Sequence, residues 1–350
     1  MATNTLTAGM LGLDQKGQLL LEAAHTSGYF DIRAVADPDL QRAERLAAEF
    51  RCEPYTDYRQ LIVQNQLDCL LVAIDIHTCD EHLRAALKKK FNVLKLAPPA
   101  RNFEEALGYA QLAETQKVRF AIANPARFMA SHRTAHELIK QGHVKQLYLV
   151  TAQYVTDGAG RPAWQADPKL AGGGVLLHDC YQSLDEILWN FPLPQQVYAL
   201  TSNQAPDKQQ RLYLTEDTAV VSLKFSDTLT GNIVAMRRID VGTTEVVLRI
   251  HGKETCLTVT DSEVTLRAGS DERRWQFAET PHDVMVRVVS SFANSILRPD
   301  EHELVSSAAE NLKNMAVLES AYLSARTGFP EEPARIPQMS GAPAGAATGL

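Results

Sequence analysis

The first half of the chain alternates short apolar runs with amphipathic stretches at a regular interval, and this alternation strongly restricts its possible folds. Residues 69–74 form a continuous apolar run, which is typical of a strand buried on both faces of a parallel sheet. Residues 15–27 instead place apolar side chains at helical spacing. Alternating strands and helices predict an α/β domain, a doubly wound parallel sheet with right-handed crossovers. The predicted strands are 6–12, 31–37, 69–74, 92–96 and 120–123, and the predicted helices are 15–27, 40–50, 58–64, 80–89 and 102–116.

The second half has a different pattern, in which many segments alternate apolar and polar residues. This alternation predicts a large antiparallel sheet with one face open to water. The predicted strands are 144–156, 197–202, 218–225, 230–238, 245–251, 254–260, 263–267 and 273–278, and the predicted helices are 131–141, 175–191, 284–296 and 303–325. We therefore expect a domain over 1–125, a second domain over 126–330 and a flexible Pro-, Gly- and Ala-rich tail over 331–350.

Composition excludes several classes of function. The chain has 350 residues, enough for two ordinary domains, and its net charge of −7 argues against nucleic-acid and anionic-membrane partners. No apolar run reaches the roughly 18 residues that span a bilayer, and the polar N-terminus predicts no signal peptide. The five cysteines form no C-x-x-C pair, which favours reduced thiols, a cytoplasmic location and no metal site.

Four local strings occur in an order that is typical of a known family. They are AVADPDLQRAERLAAEF at 34–50, LVAIDIHTCDEHLRAALKKKFNVLKLAPPARNFEEA at 71–106, GGGVLLHDCYQSLD at 172–185 and ESAYLSARTG at 319–328. Together they resemble the glucose–fructose oxidoreductase, inositol dehydrogenase and MocA family (Gfo/Idh/MocA), over roughly residues 6–330.

This resemblance implies an N-terminal Rossmann domain and a C-terminal α+β domain with a large, open, mostly antiparallel sheet. It also implies hydride transfer between NAD or NADP and a sugar, a cyclitol or a related alcohol. The sheet of such proteins commonly mediates a homodimer or homotetramer. A sugar-like small molecule is therefore the expected ligand.

The resemblance assigns five positions to cofactor binding. Gly12 and Gly17 match the first and third glycines of the dinucleotide turn, and Asp14 replaces the second. A carboxylate there is expected to repel the pyrophosphate, by about 4 kcal/mol per charge pair at ~4 Å and an effective dielectric near 20. Asp37 matches the acid that binds the ribose hydroxyls, although a role as a helix cap or as a turn residue before Pro38 is an equal alternative. Asp75 adds a second acid nearby.

The catalytic positions of the family are altered as well. Ala97 replaces the family's lysine, and Lys95 is the nearby amine that could substitute for it, unless it is simply a solvated charge at the end of a strand. Gln182 replaces the histidine that serves as proton acceptor, and His178 replaces an aspartate. Tyr181 supplies another titratable group nearby. The simpler interpretation makes His178 and Gln182 polar pocket-lining or capping groups.

Two main hypotheses follow from these replacements. The first is a catalytically degenerate family member, a pseudoenzyme with a binding, regulatory or assembly role and doubtful cofactor binding. The alternative is an active NAD(P)-dependent oxidoreductase of a sugar, cyclitol or related alcohol, with Tyr181 or His178 as acid–base and Lys95 as helper. A weaker third hypothesis is non-redox glycoside cleavage, which still requires the nicotinamide cofactor.

Overall fold

The computed structural model describes residues 5–157, 161–203, 214–238 and 244–339. Its contacts divide the chain into two compact units. The first unit consists of Met1–Pro99, Glu105–Pro125 and Thr280–Asn311, and the second consists of Ala100–Glu104, Ala126–Glu279 and Leu312–Leu350. The segment Thr280–Asn311 of the first unit thus lies, in sequence, between two segments of the second unit.

The first unit contains a six-stranded parallel sheet. Its strands are β1 (Leu6–Leu11), β2 (Phe30–Ala36), β3 (Glu53–Tyr55), β4 (Cys69–Val72), β5 (Asn92–Leu96) and β6 (Phe120–Ala123), in the order β3-β2-β1-β4-β5-β6. The connecting helices are α1 (Gln15–Ser27), α2 (Leu40–Phe50), α3 (Tyr58–Gln64), α4 (Cys79–Lys88) and α5 (Phe103–Gln116). Every residue of β4 and β6 is buried, which confirms the predicted doubly wound sheet.

The second unit contains an eight-stranded sheet. Its strands are β7 (Leu147–Asp157), β8 (Gln196–Ser202), β9 (Thr218–Lys224), β10 (Thr230–Arg238), β11 (Glu245–Gly252), β12 (Thr255–Val259), β13 (Glu263–Ala268) and β14 (Asp271–Gln276). The order is β14-β13-β12-β11-β7-β10-β9-β8, and all neighbours pair antiparallel except β7 and β10. The predicted mostly antiparallel sheet is confirmed.

Several helices of the second unit contact this sheet. The helices of this unit are α6 (Ala130–Lys140), α7 (Pro168–Ala171), α8 (Val175–His178), α9 (Tyr181–Asn190), α11 (Leu312–Thr327) and α12 (Ile336–Met339), while α10 (Pro281–Leu297) belongs to the first unit. α6 contacts β12 and β13, α9 contacts β7, and α11 contacts β8. Burial alternates strictly along β9, so this part of the sheet has one buried and one exposed face.

Two predicted helices differ from the structure. The helix expected over 175–191 is broken into α8 and α9, with Asp179 and Cys180 between them. The helix expected over 303–325 begins only at Leu312, because residues before it pair with β6. The backbone N–H of Ile122 donates to Ser306 O at 2.9 Å, and that of Ala308 donates to Phe120 O at 2.8 Å.

Residues 331–339, the beginning of the predicted tail, are attached to the second unit. The backbones of Glu331 and Val197 form two reciprocal N–H···O=C hydrogen bonds, and Ile336 is buried. The rest of the predicted tail, 340–350, lies outside the described residues.

Within the described ranges, no helix combines the length and apolar character needed to cross a membrane, and no three acidic, histidine or cysteine side chains are grouped as metal ligands.

Candidate functional site

The turn between β1 and α1 requires glycine at two positions. Gly12 has a φ of +84°, and a Cβ added to it would lie 2.6 Å from the carbonyl oxygen of Ala73. A Cβ added to Gly17 would lie 2.1 Å from the carbonyl oxygen of Gly12. Neither contact is sterically possible, so the turn holds strand and helix as tightly as a dinucleotide-binding turn requires.

Asp14 lies in this turn as the N-cap of α1. Its Oδ1 accepts a hydrogen bond from the backbone N–H of Gly17 at 2.8 Å, and the residue is exposed. The first N–H groups of a helix form a natural anion site, and here a carboxylate of the chain itself occupies one of them. The sequence predicted the charge at this position but not its role as a helix cap.

Asp37 follows the end of β2, and its carboxylate is almost completely buried. Oδ2 accepts from the N–H of Leu13 at 2.8 Å, and Oδ1 accepts from the N–H of Asp39 at 2.9 Å. Nη1 of Arg42 lies 3.2 Å from Oδ1 and 3.3 Å from Oδ2. Asp37 therefore holds the turn together.

Several acidic side chains lie near the hydroxyl of Tyr58. Burial raises the pKa of its hydroxyl, and Asp37, Asp75, Cys79 and Asp14 raise it further. The three aspartates thus share one neighbourhood at the carboxyl ends of β1, β2 and β4. The predicted cofactor positions come together there, in an acidic environment.

Lys95 lies on β5 and is buried rather than solvated. Its Nζ donates to the carbonyl oxygens of Leu96 at 3.0 Å and Pro98 at 2.6 Å. Burial lowers its pKa, while Cys79 and Glu105 act in the opposite direction. This ammonium group thus binds the backbone on both sides of Ala97, the position where the family resemblance placed a lysine.

In the second unit, the glycine run at 172–174 leads into α8. A Cβ on Gly174 would lie 1.9 Å from the carbonyl oxygen of Glu216, so the two backbones are in close contact. The buried Glu216 carboxylate accepts from the N–H groups of Gly174 at 2.6 Å and Leu176 at 3.0 Å. Tyr322 donates its hydroxyl proton to the same carboxylate at 2.9 Å. Sequence reasoning missed Glu216, whose local sequence carries no motif.

His178 ends α8, and its Nε2 lies 2.9 Å from the carbonyl oxygen of Ala171. A carbonyl can only accept, so Nε2 carries the proton and Nδ1 is the acceptor nitrogen of the neutral ring. Burial lowers the pKa of His178 to about 4. The indole of Trp164 meets the imidazole edge to face, at 5.5 Å between ring centroids.

Asp179 lies at the break between α8 and α9, held by two arginines. Nη2 of Arg161 lies 2.6 Å from Oδ1, and Nη2 of Arg237 lies 2.8 Å from Oδ2. Arg161 follows β7 and Arg237 lies near the end of β10, two parallel neighbours whose ends meet at one edge. This pair of arginines has no local sequence signature and was not predicted.

Tyr181 and Gln182 begin α9 but have different environments. Tyr181 is fully buried, and its hydroxyl accepts from Nδ2 of Asn314 at 3.2 Å. The same Asn314 donates to Asp185, which forms a buried ion pair with Arg127 at 2.7 Å. Gln182 is half-buried. Tyr181 thus belongs to the core of this unit, whereas His178 and Gln182 remain partly accessible.

Comparisons with known proteins agree with these features. Residues 6–124 match the model of the Gfo/Idh/MocA oxidoreductase family with an NAD-binding Rossmann fold, and residues 132–258 match that of the Gfo/Idh/MocA C-terminal domain. The rhizopine catabolism protein MocA of Rhizobium meliloti is 25% identical over 181 residues, 52% of this chain and 56% of that protein. The 2,7-anhydro-N-acetylneuraminate hydratase of Escherichia coli (strain K12) is 23% identical over 184 residues, 50% of this chain and 48% of that protein. The matched regions thus span about half the length of these relatives.

Solved structures extend the similarity to nearly the whole chain. Levoglucosan dehydrogenase in complex with NADH and L-sorbose superposes with a TM-score of 0.85, covering 94% of this chain and 99% of that one at 15% identity. At this identity the likeness establishes the fold. Since the family models together match 6–124 and 132–258, well over half of the residues, the chain belongs to the Gfo/Idh/MocA oxidoreductase family.

Proposed function

We propose that this chain is an NAD(P)-linked oxidoreductase that acts on a hydroxyl group of a sugar, a cyclitol or a related alcohol. The observation that carries the proposal is the β1–α1 turn, where Gly12 and Gly17 keep a backbone geometry that admits no Cβ. This is the geometry of the first and third glycines of a dinucleotide-binding turn, which make the tight turn and the close packing of helix on strand. Levoglucosan dehydrogenase, described in complex with NADH and L-sorbose, supports the ligand class through its fold.

In this proposal His178 accepts the hydroxyl proton. When bound, the nicotinamide supplies the hydride acceptor or donor. Nδ1 of the neutral imidazole takes the proton from the substrate oxygen, while the Nε2–H bond to Ala171 keeps the ring oriented. A pKa near 4 makes His178 a weak base, so we expect slow turnover relative to a site that has a lysine and a histidine.

A second candidate function, ligand binding without redox chemistry, also rests on a specific observation. The carboxylate of Asp14 accepts a hydrogen bond from the N–H of Gly17, which is therefore not available to a phosphate, and Asp37 and Asp75 add negative charge nearby. Ala97 and Gln182 cannot transfer a proton at the positions where the family resemblance expects it. Such a protein would bind a sugar-like ligand in a regulatory or assembly role.

Calorimetric titration of the purified protein with NADH and with NADPH separates the two candidate functions. The oxidoreductase proposal expects saturable binding, and it expects Asp14→Gly to tighten NADH binding about tenfold by removing a like charge. Asp57→Gly is the matched control, since Asp57 is likewise a helix N-cap, of α3, and its Oδ1 accepts from the N–H of Arg59. Absence of binding in the wild type and in Asp14→Gly would reject the oxidoreductase in favour of the second candidate.

Turnover is then measured by NAD(P)H absorbance with a panel of sugars and cyclitols. His178→Gln keeps a side-chain amide that can donate to Ala171 but removes the basic nitrogen. We expect a loss of about 10²-fold or more in kcat with unchanged NADH affinity. An unchanged kcat would exclude His178 as the proton acceptor.

We also propose that the exposed face of the second unit's sheet forms a homodimer or homotetramer interface. Leu200 and Val220 face one another across β8 and β9, and both are exposed, as is Tyr198. Val234 on β10 continues this apolar patch beside Val220. Leu200→Glu is expected to reduce the mass measured by light scattering, whereas Val63→Glu, on α3 of the first unit, leaves it unchanged. A monomeric wild type would contradict this assembly.

A further inference from the structure

We propose that the second unit contains a binding site for a phosphorylated sugar or polyol, in a cavity of about 710 Å³ beside α11. All residues that line this cavity belong to the second unit, and His178, Asp179 and Gln182 are not among them. The volume is within the range of roughly 300–1,000 Å³ that is typical of small-molecule sites. The inference goes beyond the proposed function, because the site requires neither a dinucleotide nor hydride transfer.

Three basic side chains from three different segments line the cavity. Arg101 precedes α5, Lys169 lies on α7, and Arg326 lies in the last turn of α11. Nη1 of Arg101 donates to the carbonyl oxygen of Lys169 at 3.1 Å, which holds the guanidinium in the cavity wall. Neither Lys169 nor Arg326 forms an ion pair with a carboxylate of the described residues. Both charges are therefore available to an anion that enters the cavity.

Two acidic side chains also line the cavity, but they do not cancel this charge. The buried carboxylate of Glu216 accepts hydrogen bonds from two backbone N–H groups at the start of α8 and from the hydroxyl of Tyr322. Glu319 lies seven residues before Arg326 on α11, which is about 10 Å along the helix axis. The chain as a whole has a net charge of −7, yet basic side chains outnumber acidic ones here, and a cleft of this kind attracts anions.

The nature of the lining indicates the class of anion. A phosphate monoester carries a charge of about −1.5 to −2 at pH 7, whereas a carboxylate carries one charge, so three basic side chains favour the phosphate. Guanidinium groups also match the geometry of phosphate oxygens. Hydroxyl and amide groups, which can both donate to and accept from sugar hydroxyls, are supplied by Asn102, Thr201, Ser202 and Asn203.

Calorimetric titration with glucose 6-phosphate tests the proposal, with glucose and inorganic phosphate as reference probes. We expect saturable binding of glucose 6-phosphate in the absence of any dinucleotide. Each reference probe should bind about tenfold more weakly or worse, because it lacks one half of the ligand. Arg101→Ala should weaken binding roughly tenfold, the effect of one hydrogen bond to a charged group. Arg133→Ala, at an exposed position of α6 in the same unit, is the matched control and should leave the affinity unchanged.

Two charge changes on α11 leave the contact between Arg101 and Lys169 intact and should act in opposite directions. Arg326 is exposed, and Arg326→Glu should weaken glucose 6-phosphate binding by about tenfold, because it replaces an attractive charge by a repulsive one. Glu319→Gln removes a repulsive charge and should tighten binding by about threefold.

His178→Gln distinguishes this cavity from the candidate catalytic site, which is also expected to accept a sugar. The variant should bind glucose 6-phosphate with wild-type affinity. The proposal is overturned if glucose 6-phosphate does not bind, if either reference probe binds as tightly, or if Arg133→Ala weakens binding as much as Arg101→Ala. It is also overturned if His178→Gln weakens binding while Arg326→Glu does not. None of these outcomes depends on NADH binding, so the proposed function would stand in each case.

Discussion

His132 of α6 is a charged side chain enclosed within the second unit. Its Nδ1 lies 2.6 Å from Oε1 of the buried Glu186, and its Nε2 lies 3.6 Å from Oδ1 of Asp261. Burial lowers its pKa, but the two carboxylates outweigh burial and raise the pKa to about 10. The imidazolium therefore persists at neutral pH and balances the charge of Glu186.

We expect this pair to make stability depend on pH in the alkaline range. The folded pKa of His132, about 10, exceeds the roughly 6.5 of an unfolded histidine. Its stabilisation is thus complete below pH ~6.5 and is lost as pH rises through about 10. His132→Gln should cost about 3–5 kcal/mol at pH 7, because it leaves Glu186 buried without a cation.

Denaturant titrations at several pH values between 7 and 10 measure this contribution. The loss of stability with rising pH should be smaller in His132→Gln than in the wild type. His25→Gln, at an exposed position of α1, is the control and should follow the wild type. Parallel pH curves for all three proteins would argue against a charged His132.

At the scale of elements, α8 depends on a carboxylate supplied by a distant part of the chain. The helix has four residues, too few to be stable by itself, and its N-cap, Gly174, has no side chain. Glu216 compensates by accepting from the N–H groups of Gly174 and Leu176, and Tyr322 of α11 donates to it. The position of His178 at the end of α8 thus depends on Glu216, which precedes β9, and on Tyr322 of α11.

Tyr322→Phe and Glu216→Gln should separate the two parts of this arrangement. Tyr322→Phe removes one hydrogen bond and should lower the free energy of unfolding by roughly 1 kcal/mol. Glu216→Gln replaces an acceptor oxygen by a donor that meets backbone N–H groups, so its cost should be larger, about 1–3 kcal/mol. Urea titrations at pH 7 measure both values, and equal costs would count against the capping role.

The sequence pattern predicted those strands and helices whose buried residues form a regular pattern of apolar side chains along the chain. β4 and β6 were found because each is an apolar run, and α1 because its apolar side chains recur at helical spacing. β3 was missed because its three residues are partly exposed and have no apolar signature. The break at Asp179 was missed because Arg161 and Arg237, far away in sequence, hold that residue.

The candidate site was predicted less completely than the fold, for the same physical reason. Gly12, Gly17 and Asp37 follow from the sequence because their roles are fixed by local backbone geometry. The burial of Lys95 does not follow, since it depends on the carbonyl of Pro98 turning back toward Nζ. The partners of Glu216 were equally inaccessible, because they lie about 40 and 106 positions away.

At the scale of the whole molecule, the chain completes its first unit only after it has passed through the second. α10 packs against α1, and residues 306–308 pair with β6. Asn124 donates through Nδ2 to the side chains of Ser306 and Asn311 at 2.9 and 3.0 Å. All six strands of the first unit's sheet precede residue 125, whereas part of the core of this unit is supplied by residues 280–311.

A fragment of residues 1–125 is therefore expected to fail as an independent domain. Loss of 280–311 uncovers the apolar side of α1 and leaves β6 as an open edge, which promotes aggregation. Fusing 280–311 to the fragment through a flexible linker should restore a cooperative thermal transition by circular dichroism. Cooperative unfolding of 1–125 alone would contradict the assignment of 280–311 to this unit.

The N-cap at Asp14 has an evolutionary consequence. An aspartate codon becomes a glycine codon by a single base change, and replacing a capping aspartate by glycine costs only a few tenths of a kcal/mol in helix stability. The loss of stability would therefore hardly oppose a change from this sequence to one with all three turn glycines. A lineage that keeps the carboxylate despite such an accessible reversion is expected to be under selection for the charge itself.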